Sequence, residues 1–582
     1  MGRSARGRRA IAGLAPLLVA AALGAARPAR AARLVTPADG AVVRASAVAV
    51  EVAVDGPEDA AALALRVNGT DVTARLRGAG AARTLVLAGV PGHGNVLRRG
   101  RNRVALEPGG ARTTFVWRPR LARVRLVVVG NRLDFAAYES MATWRAEVDR
   151  IFERLVRPKL AAGRPNVVLL TEDFGLPAAL VGTRGATTRA AKDADPLGAL
   201  ANLFAAYGPQ ASFYSSHFAL PGSGLQPLAR ALVLALTDTL WRAFVPVLSA
   251  KAAALGVHLV ACTNVAPAHR STDPAEVAFF GDVDDPRRTD VFLPDGIDTY
   301  NTAFLWGPDG ALLGTTHKVF LTPPERELLN LSPGALDDVR VFDTPAGRIG
   351  IAISLDAFTS AYVHRLDDLG ATLVLQPDAN PGLWATPGAF WQPDDWTGSV
   401  LGMLAPDLPN LTWNATSMMT GNFFPGALDA TGVPAGIVFD GQSSITRRAR
   451  RPPRRGFVAM ARDLPFRGRF VALAPWAFPD PGTLGSTAAL AALRHRCASA
   501  ARAGETPRGL SLATRRALLY DCAKTLLPGG ANAGAYRESV LATDLRLPVA
   551  GVRPAVVPDA RPQRRSAITR SMHHEPASDP IP

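Results

Sequence analysis

Lys318, Glu325, Ser354 and Asp356 fall within one stretch of this 582-residue chain, Tyr300–Asp356, and their types could do acyl chemistry together. A small hydroxyl can attack a carbonyl carbon, an ammonium can hold charge building on the carbonyl oxygen, and nearby carboxylates can move protons. Each residue alone has a plainer reading: a lysine whose stem lies along the surface with its head in water, or strand-end polar groups facing solvent. What favours chemistry is that Lys318 and Ser354 lie at or near the ends of strand-like runs.

The runs are readable. Asn301–Leu305 and Leu312–Thr315 flank the turn Pro308-Asp309-Gly310, and a second turn, Pro345-Ala346-Gly347, precedes the mostly apolar Arg348–Ile353. Upstream, Val124–Val129 and Asn166–Leu170 predict buried strands, and Tyr138–Leu160 between them has helical spacing, with Trp144, Val148, Ile151, Phe152 and Leu155 on one face. Gly175–Gln226 looks irregular, Pro227–Ala254 predicts one long amphipathic helix, and Val257–Cys262 another strand. Ordinary core packing is expected for Cys262 and satisfied hydrogen bonds for His258. Downstream, Ala357–Leu369 predicts a helix and Thr372–Gln376 a strand that leads into Pro377–Pro381 and Trp384. Strands alternating with helices argue an α/β domain.

The residues Asn301, Pro308-Asp309-Gly310, Lys318, Glu325, Gly350–Ile353 and Ser354-Leu355-Asp356 resemble the pattern of the nitrilase (carbon–nitrogen hydrolase) superfamily. The resemblance runs over about Arg120–Pro548, with "WNATSMMTGNFF" (Trp413–Phe424), "IVFDGQSSI" (Ile437–Ile445) and "YRESVLATDLRLP" (Tyr536–Pro548) as late strands. It implies a nitrilase-like α-β-β-α sandwich, reached when two subunits meet, and hence a homodimer or higher homo-oligomer. It also implies hydrolysis of a small-molecule amide or nitrile through an acyl-enzyme. Glu172, at the end of an early strand, takes the place of the catalytic base that accepts the nucleophile's proton and returns it to the leaving amine. Lys318 takes that of the oxyanion clamp, with the Leu355 N–H as second donor. Glu325 is the supporting carboxylate, with Glu327 as competitor, and Asp356, Asn380 and Trp384 are substrate-facing.

The sequence departs from that pattern at the nucleophile, where Ser354 stands in the place of a cysteine. A thiol of pKa about 8.5 ionises at modest cost beside a lysine and a carboxylate. An alcohol must lose its proton as it attacks, which would raise the barrier by several kcal/mol, at tenfold in rate per ~1.4 kcal/mol. Two readings follow: a slower or retuned serine enzyme, or a disabled pseudoenzyme that binds a small ligand or scaffolds partners. Acyl transfer to a lipoprotein is a third, and it lacks the several membrane spans such a reading would want.

Around this domain the chain carries other signals. The formal net charge is +16, but Arg3, Arg6, Arg8, Arg9, Arg27 and Arg30 lie in the first 31 residues, which hold no acid. Those residues, with the apolar run Ala10–Ala26 and Ala29-Arg30-Ala31, read as a secretory signal peptide, so the protein is expected to be exported. Six further arginines crowd between Arg447 and Arg455 as a solvated or anion-contacting loop, and nothing aromatic interleaves them, which argues against nucleic acid as a partner. Residues 32–119 alternate in short runs with turns between, suggesting an all-β, immunoglobulin-like sandwich that serves as spacer or cell-surface attachment. Residues 120–549 form the hydrolase-like domain, interrupted by an insert at about 447–530, and the Pro- and Arg-rich tail 550–582 reads as disordered. Within the insert, a Cys497–Cys522 disulfide and two buried thiols are equally open readings, leaving Cys262 unpaired. No cysteine or histidine cluster has metal-ligand spacing, so neither metal nor cofactor is expected.

Overall fold

The computed structural model describes residues 32–54, 63–78, 81–107, 110–192, 196–381, 396, 408–422, 438–449, 468–474 and 538–549. The expected signal peptide, most of the arginine-rich loop, Trp384, Cys497, Cys522 and the tail lie outside the described residues.

Two six-stranded sheets carry the larger domain. The strands are β1 (Leu121–Gly130), β2 (Asn166–Leu169), β3 (His258–Val265), β4 (Tyr300–Trp306), β5 (Leu312–His317), β6 (Val341–Thr344), β7 (Gly347–Ile351), β8 (Leu373–Asp378), β9 (Trp413–Met418), β10 (Ser444–Arg448), β11 (Gly468–Leu473) and β12 (Ser539–Pro548). The first sheet runs β5-β4-β3-β2-β1-β12 and the second β6-β7-β8-β9-β10-β11. In each, the central strands are parallel and the edges antiparallel. Parallel central strands are covered on both faces, which is why β2 and β3 are buried at every position and carry apolar runs, Val167–Leu169 and Leu259–Cys262, rather than alternating.

Alternate residues divide the strands between layers. Leu126, Val128, Val167, Leu169 and Val260 of the first sheet pack on Ile349, Ile351, Leu373, Leu375 and Ala415 of the second. The opposite face of the first sheet, including Val127, Val168, Leu259 and Phe304, buries helices against it. The outer face of the second, with Val374, packs on Tyr362, Val363 and Leu366 of the helix Ser360–Asp368. All four α-β-β-α layers are thus supplied by one chain, which corrects the expectation that a second subunit is needed to complete them. The layering itself gives no reason for a dimer.

Two helical expectations are corrected. The Pro227–Ala254 helix is two helices, Gln226–Ala235 and Thr237–Leu255, bent by 48° at Leu236. Most of the described residues between 175 and 217 are helical rather than irregular, with Thr183–Ala191, Pro196–Ala206 and Gly208–His217 as α-helices. Their alanine and glycine content hid a helical period carried by few large apolar residues, such as Leu203, Tyr207, Ala211 and Tyr214 in the core. Among the described residues no single helix is long and apolar enough to cross a membrane.

Residues 32–117 form two sheets, of three and five strands, around one core that includes Val50, Leu65, Leu85, Val104, Phe115 and Trp117. This module is docked on the second sheet's outer helix. Arg75 pairs with Asp368 at 2.6 Å and donates to the His364 carbonyl at 3.0 Å, and Arg77 pairs with Asp368 at 2.6 Å. Asn410 ties the two parts again: its amide donates to the carbonyls of Val86 and Asp367, and its oxygen accepts from the Ala88 N–H. Asn95 donates to the carbonyls of Pro409 and Asn410, both at 3.0 Å.

Candidate active site

The carboxyl ends of β2, β7 and β8 and the β5 exit meet where the two sheets diverge. Lys318, just past β5, is 1% exposed, and an ammonium so placed must be compensated. Its Nζ donates to Glu172 Oε1 at 2.7 Å and to Glu325 Oε1 at 3.0 Å, and lies 2.8 Å from Glu325 Oε2. Asn301 of β4 donates its Nδ2 to the same two carboxylates, at 2.9 and 2.8 Å. The second oxygen of Glu172 accepts from the Ala379 N–H at 3.0 Å, and the second of Glu325 from the Thr322 N–H and hydroxyl at 2.8 Å each. Glu327, the competitor, is exposed and pairs with Arg326. The structure therefore brings Glu172, Lys318 and Glu325 into one buried cluster.

Charge balance follows from this wiring. Burial works against the Lys318 ammonium, but Glu172 and Glu325 outweigh it and hold the lysine protonated. Glu325 is lowered: burial opposes its charge, and Lys318 and the bond from Asn301 overcome that. Glu172 goes the other way, raised by burial and by Glu325 despite Lys318. One buried cation thus sits between one carboxylate held ionised and another that retains a proton more readily.

Ser354 is buried at the first position of a short 3-10 turn, Ser354–Phe358, that follows β7 and the linker Ala352-Ile353. Its φ is 46°, left-handed backbone that a non-glycine residue adopts at a cost of order 1–3 kcal/mol, and such strain concentrates at functional sites. Leu355, half-buried, is next in the turn, where the first N–H groups have no acceptor within the turn itself. Asp356 is fully buried and accepts from the N–H groups of Val319 and Phe320 at 3.1 and 2.8 Å. Burial pushes its carboxyl up to about 8, against the N–H of Phe320, the charge of Lys318 and the N–H of Val319. Asp356 thus braces the Lys318 loop against the Ser354 turn. This corrects its expected place facing substrate, because the oxygens are turned to the protein's own backbone. Asn380 is half-buried at the end of β8.

Sequence reasoning missed four groups. Asn301 appears in the motif but was given no role, although its amide bridges both glutamates. The Ala379 N–H that orients Glu172 is invisible to side-chain reading. Asp173, beside Glu172, is half-buried with φ 54° and is pushed well up by burial, Glu172 and Glu325. Asp378 ends β8 with no exposure, and burial and then Glu172 push it up to about 8. A carboxylate at the end of a buried strand, or a few residues past it, is the available signal for both aspartates. His258 meets its expectation in part: it hydrogen-bonds the Asn166 backbone, while its buried Nδ1 has no partner. Cys262 lies in the inter-sheet core as a free thiol, pushed up by burial, then by Glu172 and Asp173.

Comparison with known proteins gives one sequence relative and several structural likenesses. The probable hydrolase YhcX of Bacillus subtilis (strain 168) is 37% identical over 86 residues, a match covering 15% of this chain and only 16% of that protein. A carbon–nitrogen hydrolase from Helicobacter pylori G27 is 14% identical with a TM-score of 0.31, covering 56% of this chain and 82% of its own. An amidase from Nesterenkonia sp. is 16% identical with a TM-score of 0.29, covering 56% and 82%. No family model matches the chain.

Proposed function

We propose that this chain is an exported carbon–nitrogen hydrolase that cleaves a small non-peptide amide through an acyl-enzyme on Ser354. The observation that supports it best is the buried Lys318 held between Glu172 and Glu325, on a loop that Asp356 ties to the turn carrying the strained Ser354. In this reading Ser354 Oγ attacks the carbonyl carbon, and the oxygen's developing charge is met by Lys318 and the Leu355 N–H. Lys318 stays charged throughout because Glu325 is its fixed counterion. Glu172, whose proton affinity is raised, gives a proton to the leaving amine and takes one from the incoming water. Asn380 and Trp384 remain proposed substrate contacts. The short match to a probable hydrolase and the motifs around Lys318 and Ser354 agree with this class.

The second reading is a binder without turnover. It is favoured by the alcohol at position 354 and by Glu172 being engaged by three donors. The test is mass spectrometry of the intact protein after incubation with short amides and activated esters. A covalent acyl adduct on Ser354, absent from Ser354→Ala, is the expected result. No adduct from any compound, with activity appearing only in Ser354→Cys, would overturn the enzyme reading in favour of a disabled site.

A further inference from the structure

The proposed chemistry has two protons to move, and Glu172 is well placed for one of them. Three donors already occupy its oxygens, Lys318 and Asn301 on Oε1 and Ala379 on Oε2, out of about four lone-pair positions. All of them hold Glu172 toward Lys318 and the β8 end. A second carboxylate lies beside the nucleophile. Strands β7 and β8 are parallel and in register at Ile349–Leu373, Gly350–Val374 and Ile351–Leu375, and the Ala352 N–H continues the ladder to the Leu375 carbonyl at 3.0 Å. Asp378 ends β8 and Ser354 opens the turn just past β7, and their side chains are hydrogen-bonding neighbours. Gln376 donates Nε2 to Asp378 Oδ2 at 3.0 Å and fixes the carboxyl plane. Oδ1 is buried and takes no well-formed hydrogen bond, and the Ser354 hydroxyl is the donor that lies against the carboxyl. A carboxylate oxygen with a spare lone pair beside a hydroxyl can take that hydroxyl's proton.

We propose that Asp378 is the base that takes the Ser354 proton, leaving Glu172 to serve the leaving amine and the water. This rests on the acyl-enzyme reading above. As the Oγ–C bond forms, the carbonyl π pair moves onto oxygen and the Oγ proton passes to Asp378 Oδ1. The C–N bond then breaks and the amine takes its proton from Glu172. In the second half water gives a proton to Glu172 as it attacks the ester. The C–Oγ bond breaks, and Oγ recovers its proton from Asp378. Amide and water become acid and amine, and both carboxyls return to their starting states. The division also accounts for the serine: an alcohol needs a base where a thiol beside Lys318 does not. The Ser354 hydroxyl favours the ionised form of Asp378, while burial and Glu172 push its carboxyl up to about 8. A raised carboxyl is ionised only above that value, so acylation should climb as pH rises toward about 8 and level off beyond.

The test uses the full chain and p-nitrophenyl acetate, following the Ser354 adduct by mass between pH 5 and 9. The parent chain should acylate with rates rising toward pH 8. Asp378→Asn, with an unchanged thermal melt, should acylate about 100-fold or more slowly and lose that rise, the usual scale of general-base catalysis. In the Ser354→Cys background the same change should cost less than about tenfold, because a thiol ionises without it. Acylation by Asp378→Asn at the parent rate and pH profile overturns the inference while the acyl-enzyme stands. So does an equal loss in the serine and cysteine backgrounds, which would mark Asp378 as a positioning residue only. No adduct on the parent chain overturns the acyl-enzyme reading and this inference with it.

Discussion

Replacing Lys318 by methionine isolates the electrostatics of the cluster. The methionine stem fills similar space, but Glu172 and Glu325, 3% and 8% exposed, lose the only cation they contact among the described residues. At 2.7 Å and an effective dielectric near 20, the Lys318–Glu172 attraction alone is about 6 kcal/mol before desolvation is subtracted. Breaking a buried ion pair from one side leaves about 3–5 kcal/mol of net loss, and here two carboxylates are stranded, so the upper end is expected. The pH dependence has a definite sign. Glu325, held low in the folded parent, contributes stability above its unfolded pKa that is lost as pH falls through the folded value. Glu172, held high, contributes in the opposite sense. Without Lys318 both carboxyls rise, and the folded variant escapes its penalty by binding protons. Urea unfolding should therefore show the variant about 4–5 kcal/mol less stable than the parent at pH 8, with the difference shrinking toward pH 5. Adding Glu172→Gln and Glu325→Gln to Lys318→Met should restore most of the loss at pH 8, since a fully neutral cluster strands no charge. A loss under about 1 kcal/mol, or one unchanged from pH 5 to pH 8, would refute the reasoning.

Other changes probe separate links. Asn301→Leu removes the donor that favours the charged forms of Glu172 and Glu325, so both carboxyls rise and Glu172 keeps the proton it gives the leaving amine to higher pH; with an anilide substrate the alkaline limb of the pH–rate profile should move to higher pH. Arg75→Ala uncovers buried Asp367 and Asp368 at the module contact and should cost about 3 kcal/mol in urea unfolding. Gly130→Ala would set a Cβ 2.7 Å from Ser539 Oγ and 2.8 Å from the Met418 carbonyl, a wedge between the sheets costing about 1–3 kcal/mol and read as a lowered melting temperature.

Much of this was legible in the chain because strands buried on both faces announce themselves. Val124–Val129, Asn166–Leu170 and Arg348–Ile353 all lie within or overlap observed strands, and Glu172 and Ser354 follow the last two. The 175–226 helices were hidden because small residues give too little apolar contrast for a period to show. The break at Leu236 was hidden because the apolar spacing continues through it. The roles of Asn301 and Asp378 were out of reach for another reason. Both depend on which strand lies beside which, and Asp378 meets Ser354 only because β7 and β8 run parallel in one register. A backbone donor such as Ala379 leaves no mark in residue types at all.

The docked module sets an order on how this protein is made. Arg75, Val86, Ala88 and Asn95 are synthesised 289 to 324 residues before His364, Asp368, Pro409 and Asn410, which receive them. Until the ribosome has passed Asn410, that half of the seam faces water with its guanidinium and amide groups uncommitted. A module made before its seat is therefore finished only after it, and its edge must stay clear for a partner from its own distant sequence.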